Sequence, residues 1–203
     1  MAPDPGPPPP RLRGERVVLR ALTEQDLPRL VQAVTDTDST WATTVPTPYG
    51  AREAEQYLAY VRRGWAENTH WVFCLEDTAT PGTYAGGIDL HSTGAGRAAI
   101  GFLTHPDARG RGLTTDAVRT ILRWGLGPMR LTSVEWRARV GNAASAHVAR
   151  AVGFAYEGRI REGFEQRGVR HDCWAATVLA GEPLRDGDGW PDEVLDPAGV
   201  PVR

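Results

Sequence analysis

Residues 100–118 read Ile-Gly-Phe-Leu-Thr-His-Pro-Asp-Ala-Arg-Gly-Arg-Gly-Leu-Thr-Thr-Asp-Ala-Val. An apolar strand runs into a glycine-rich turn. The turn opens a helix that carries Leu113, Ala117, Val118, Ile121 and Leu122 at helical spacing. A strand that feeds a helix through so short a turn calls for an α/β architecture, with the helix laid on a sheet. The turn also carries chemistry. N–H groups at a helix start have no intrahelical partner, and the helix dipole adds partial positive charge there. Gly110 and Gly112 let the backbone approach a ligand closely, and Arg109 and Arg111 add guanidinium charge suited to phosphate. The pattern predicts an anion site, most simply for a pyrophosphate.

Other phosphate-binding readings fit less well. A Walker loop needs a Gly-Lys pair, and this chain has no lysine: all 23 of its basic residues are Arg. A dinucleotide fingerprint needs a third glycine where Thr115 stands, although Glu135 lies near the right distance for its acidic partner. A plain basic turn with an ordinary helix cap also fits Gly-x-Gly. The lack of lysine, with only Asn68 and Asn142 as asparagines, points to GC-rich coding bias, so single arginines carry little weight.

The 203 residues suffice for one domain of ordinary size. With 41% apolar and 24% charged residues the chain reads as soluble and globular, and no stretch approaches the roughly 20 apolar residues of a membrane span. A net charge of -2 suggests neither a nucleic-acid partner nor a membrane surface. The N-terminus has no basic cap and no apolar core, so it does not read as a secretory signal. Cys74 and Cys173 form no CxxC and no metal-ligand cluster, and a reducing cytoplasm is the expected setting. Three parts are expected: a Pro-rich tail over 1–10, a body over 11–180, and an extension over 181–203 that packs back through Trp190.

The body alternates strand-like and helix-like segments. Thr23-Glu-Gln-Asp26 resembles a capping box and opens a helix with Leu27, Leu30, Val31 and Val34. A second helix spans Glu53 to Ala66. Strands are expected at 71–76, 84–90 and 98–104, then the helix from Gly112, a strand around Val134 to Val140, and a helix capped by Asn142. Strands at 154–158 and 174–179 close the series. The predicted order is β-α-α-β-β-β-α-β-α-β-β, a single α/β domain on a mostly antiparallel sheet.

Arg109-Gly-Arg-Gly112-Leu-Thr114 resembles the R/Q-x-x-G-x-G/A coenzyme-A loop of the GNAT acyltransferases. Downstream stand Asn142-Ala-Ala-Ser145, Val152-Gly-Phe154, Glu157-Gly158 and Arg170-His-Asp172. Upstream stand Val18-Leu-Arg20, Trp41 and Gly86-Gly-Ile88. Together, over roughly residues 15 to 180, the series resembles the branch that includes the ribosomal-protein N-terminal alanine acetyltransferases. The resemblance implies a GNAT domain with a mixed, mostly antiparallel sheet flanked by helices, and acetyl-CoA as co-substrate with no metal. Backbone groups at Leu103 and Thr104 would hold the pantetheine arm, and N–H groups across Arg109, Gly110, Arg111, Gly112, Leu113 and Thr114 would bind the pyrophosphate. Asn142 joins the coenzyme set. A primary amine is the implied acceptor, on a protein N-terminus or a small molecule. A homodimer stays open, and a bacterial cytoplasmic enzyme is expected.

Three positions depart from the family's pattern. Thr114 replaces the final Gly or Ala of the loop. Ala149, seven positions after Asn142, stands where many relatives use a Tyr to protonate the departing thiolate. Ser145 is the candidate substitute, although it could equally extend the Asn142 cap. Ala99 stands where relatives often carry a Glu before the loop. Glu135 and Glu162 are the candidate bases, with Asp89 and Asp172 behind them and His91, His105 and His147 weaker. Each is also an ordinary surface charge, and water can serve as base. The expected mechanism is direct attack of a neutral amine on the thioester, with no covalent enzyme intermediate. Trp41, Tyr49, Tyr57 and Trp65 would shape the acceptor pocket or the core, Tyr57 and Trp65 favouring core. The alternatives are an antibiotic-type small-molecule N-acetyltransferase and a non-catalytic acyl-CoA-binding module.

Overall fold

The computed structural model describes residues 9–196. Most of the Pro-rich segment, residues 1–8, and the last residues, 197–203, lie outside the described residues. The elements run β1 (Leu12–Arg13), β2 (Val17–Arg20), α1 (Leu27–Thr35), α2 (Thr37–Ala42), α3 (Ala51–Ala66), β3 (His70–Asp77), β4 (Tyr84–Gly94) and β5 (Arg97–Thr104). They continue α4 (Leu113–Leu126), β6 (Ser133–Arg139), α5 (Ala143–Ala151), β7 (Ala155–Gln166), β8 (Val169–Leu179) and α6 (Asp192–Leu195). The strands form one eight-stranded sheet in the order β1-β2-β3-β4-β5-β6-β8-β7. Every neighbouring pair is antiparallel except β5 and β6, which α4 connects as a parallel crossover.

Period-two alternation splits the core between the two faces of the sheet. On β3, Trp71, Phe73 and Leu75 join the cluster under α4 and α5, whereas Val72 and Cys74 join the cluster under α1 and α3. The unbroken run Trp71–Leu75 is therefore a central strand, buried on both sides. Burial pushes the Cys74 thiol pKa up, and both cysteines are free thiols. Helix α4 presents its predicted apolar stripe to the first cluster. Its Asp116 carboxylate accepts the backbone N–H groups of Arg16 and Val17 at 2.7 and 3.2 Å, which fixes the helix against β2.

The order agrees with the sequence reading and adds β1, α2 and α6. The expected capping box is also present: the Asp26 carboxylate accepts both the N–H and the hydroxyl of Thr23, at 2.9 and 2.8 Å. The final hairpin is much longer than expected, because β7 runs on to Gln166 and β8 begins at Val169. A bulge between Ile160 and Phe164 and a run of exposed polar side chains hide the strand alternation there. Arg167 and Gly168 make the turn, with φ values of 50° and 80°. After the sheet, Trp190 returns to donate its Nε1–H to the Phe154 carbonyl at 2.9 Å and packs beside Trp136. Among the described residues no helix is long and apolar enough to cross a membrane.

Candidate active site

The register that joins β5 to β6 stops at Ile100 opposite Trp136. Beyond it β5 stays paired with β4 and β6 with β8, so the parallel strands part. A cleft of about 1560 Å³ opens at this split. Its walls come from β5, the loop before α4, the start of α5, and the segment from α2 to Tyr49. The long hairpin closes the far side. Its Gln166 amide donates to the carbonyls of Trp41 at 2.9 Å and Thr43 at 2.6 Å, and Arg167 donates to that of Val45 at 2.8 Å. Trp41 lies under the Arg139 guanidinium, 4.9 Å from the ring centre.

Left-handed backbone at Gly110 and Gly112, with φ of 70° and 72°, turns the chain from β5 into α4. Among the described residues, the backbone N–H groups of Gly110 through Thr114 take no hydrogen-bond partner. They form a cluster of free donors at the positive end of α4, suited to a pyrophosphate. The Thr104 and Thr114 hydroxyls meet at 2.5 Å, so the hydroxyl that departs from the family pattern ties the loop to β5. The two arginines serve differently from the sequence expectation. Arg109 pairs with Asp36 at 2.5 Å and with Asp38 at 3.1 Å, fastening the loop to α2. Arg111 pairs with the buried carboxylate of Asp77, on the side away from the cleft. Leu113 points into the core and is 3% exposed, so it can offer the ligand only its N–H.

At the opposite wall Asn142 caps α5, its Oδ1 accepting the Ser145 N–H at 3.1 Å. That bond uses only the Ser145 backbone. The Ser145 hydroxyl oxygen instead accepts the indole N–H of Trp136 at 2.9 Å and lines the cleft. With one lone pair engaged, the O–H remains free to donate. Ala149 is fully buried and brings no hydroxyl.

The candidate acids separate. Glu135 lines the cleft, registered beside Ala99, and pairs with Arg137 at 3.2 Å. Glu162 sits on the hairpin bulge with φ 54°; its side chain is exposed, and it is not among the residues that line the cleft. Asp172 accepts the Glu162 N–H at 2.9 Å and the Arg159 guanidinium at 2.8 Å, which holds its carboxyl below the usual carboxylate range. His105 is buried against Asp107 and Gln32, and His147 is exposed on α5. Tyr49 lines the cleft, and burial pushes its hydroxyl up to about 12. Trp65 packs edge-on to Phe73 at 5.2 Å, as core.

One cluster was only half visible in the sequence. Asp89 Oδ2 lies 2.8 Å from His70 Nε2 and 3.2 Å from His91 Nδ1, all three residues lining the cleft. Asp89 and His91 were weak candidates and His70 was not singled out. The signal lay in the i, i+2 spacing of Asp89 and His91, which puts both on one face of β4. His70 joins them only through the β3–β4 register.

Comparison with known proteins places this geometry. The acetyltransferase (GNAT) domain family model matches residues 16–155. The chain is 25% identical over 171 residues to the Bacillus subtilis protein named "Putative ribosomal N-acetyltransferase YdaF", covering 83% of this chain and 93% of that one. A solved structure named as a probable acetyltransferase superposes with a TM-score of 0.74 at 26% identity, over 85% of this chain and 98% of that one. Mycobacterium smegmatis RimJ shares the fold with a TM-score of 0.73 at 19% identity, over 86% and 89% of the two chains. The chain belongs to the GNAT acetyltransferase family, in the neighbourhood of the ribosomal-protein acetyltransferases.

Proposed function

We propose that the protein transfers an acetyl group from acetyl-CoA to a primary amine by direct attack, the acceptor being a protein N-terminus. The observation that carries this reading is the split between β5 and β6 standing over unpartnered N–H groups at Gly110–Thr114. The split admits a pantetheine arm, and the N–H cluster matches its pyrophosphate. Neighbours of the same fold have been solved with coenzyme A and with acetyl-CoA. The catalytic domain is residues 11–180 and the extension 181–203; within the described part of that extension, Trp190 packs back on the domain.

In the reaction the amine attacks the thioester carbonyl carbon. Past Ile100 the β6-facing edge of β5 has no strand partner among the described residues. The register turns the Leu103 backbone toward Gly87 on β4, so the Thr104 backbone is the group that faces the developing oxyanion. The tetrahedral adduct expels the coenzyme thiolate, and the Ser145 hydroxyl gives it a proton that solvent replaces. The aromatic and aliphatic wall of Trp41, Val45 and Tyr49 receives the residue that carries the amine. The relatives' names favour a protein N-terminus. The acids Glu135 and Asp89 in the cleft favour a small cationic amine as the second reading.

Steady-state assays with acetyl-CoA against an Ala-initiated peptide, a Ser-initiated peptide and spermidine separate these outcomes. Acetylation of a peptide N-terminus is expected. Preferential acetylation of spermidine moves the protein to the small-molecule class. Coenzyme binding with no turnover makes it a non-catalytic module.

A further inference from the structure

Ala99 leaves the reaction without the carboxylate that could stand on β5, and the sheet register shows what surrounds that gap. His91 on β4 and Glu135 on β6 are the cross-strand neighbours of Ala99. Directly opposed residues project from the same face of a sheet, so both flank the space a longer side chain would fill. Glu135 is paired with Arg137, and that pairing competes with proton transfer. His91 is built differently.

Asp89 is the centre of the cluster. An ionised carboxylate only accepts hydrogen bonds, so the imidazole nitrogens facing it, His70 Nε2 and His91 Nδ1, both carry hydrogen. The other nitrogen of His70, Nδ1, lies 3.0 Å from the Tyr60 hydroxyl and, in the tautomer that Asp89 selects, accepts a hydrogen bond from it. His70 is therefore fully satisfied. The Nε2 of His91 has no partner among the described residues, and the ring is 49% exposed at the cleft. Gly101 completes the arrangement. A Cβ there would lie 2.6 Å from Asp89 Oδ1, so only glycine lets the carboxylate lie against β5.

We infer that His91 is the general base of the transfer, with Asp89 as the positioning residue that holds its Nδ1–H tautomer and leaves the Nε2 lone pair facing the cleft. This rests on the acetyl-transfer reading above. The amine attacks, and the proton on its nitrogen in the tetrahedral adduct passes to His91 Nε2. The adduct collapses to the amide, the coenzyme leaves as thiol after taking the Ser145 proton, and the imidazolium returns its proton to solvent. Burial pushes the Asp89 carboxyl up, but the two imidazole hydrogen bonds outweigh it and hold it below the usual carboxylate range. The bond to Asp89 raises the His91 imidazole, burial opposes the rise, and the charge of Glu135 adds to it. The groups facing His91 are thus Asp89 on its own strand, His70 from β3, Tyr60 from α3 behind His70, and Glu135 from β6.

Two measurements test this. The first is ¹⁵N-edited NMR of the full-length protein with coenzyme A, which reads the His91 tautomer without any acceptor. The Nδ1–H form is expected, and the Nε2–H form overturns the assignment. The second compares wild type, His91→Gln and Asp89→Asn across pH on the free-amine peptide that wild type acetylates. With the coenzyme Kd unchanged, His91→Gln is expected to lower kcat by roughly 100-fold, leaving in kcat/KM the limb that the free amine itself sets but erasing the acid limb of the kcat profile. Asp89→Asn is expected to keep partial activity and move that limb to lower pH, which a merely structural role would not do. An unchanged rate and limb in His91→Gln overturns the inference while leaving acetyl transfer intact. So does wild-type activity lost to EDTA and restored by Zn²⁺. Wild type that acetylates no amine removes the reaction and its base together.

Discussion

Ser145 shows how a residue can be legible by spacing while the contact its hydroxyl makes is not. Its position three residues after Asn142 was read from the sequence, with a cap role and an acid role left open. The structure separates them, because the cap uses the Ser145 N–H and the hydroxyl takes the Trp136 indole N–H instead. No sequence pattern announces that contact, since Trp136 reads as a core residue on an alternating strand. Ser145→Ala is expected to lower kcat at least tenfold with near-normal coenzyme binding. An unchanged kcat removes Ser145 from the mechanism, and a matching rise in coenzyme Kd makes it a binding group. Glu162 shows the opposite case: it was a candidate base through the family resemblance, and a bulge with left-handed φ turns it to solvent.

Among the elements, strongly periodic ones were legible and the outer half of the long hairpin was not. α4 and β3 declare themselves because burial demands an apolar stripe or an unbroken apolar run. The outer half of β7–β8 packs against little, so its side chains are free to be polar and no period survives. Yet that half does specific work. The Gln166 amide and the Arg167 guanidinium hold the α2 segment by its carbonyls, and this segment is the wall proposed to receive the acceptor. Gln166→Ala leaves those carbonyls to water and loosens the wall. The peptide KM is expected to rise several-fold, with the coenzyme Kd unchanged because the α4 loop is untouched. A change in coenzyme Kd instead would mean that the hairpin braces the whole cleft. Helix α2 escaped the sequence reading because its six residues carry no apolar repeat.

At the scale of the whole molecule, the order of elements was readable because a parallel pair inside an antiparallel sheet requires a crossover, and the strand-turn-helix at 100–118 supplies one. Where the parallel pair separates was not readable, since pairing register depends on residues far apart in the chain. Pairing between loop and body also settles how the anion site must behave. Arg109 and Arg111 are neutralised by Asp36, Asp38 and Asp77, so their charge goes into bracing the loop. What remains to greet a pyrophosphate is a set of oriented peptide dipoles at hydrogen-bonding range, which dissolved ions screen far less than they screen separated charges. Raising ionic strength from about 0.05 M to about 0.5 M shrinks the Debye length roughly threefold. The coenzyme Kd is expected to rise less than tenfold over that span, whereas capture by mobile guanidinium groups would show a steep power-law loss. On the proposed reading, recognition of the coenzyme is written into the backbone, and the site is expected to tolerate brine better than its arginine-rich sequence suggests.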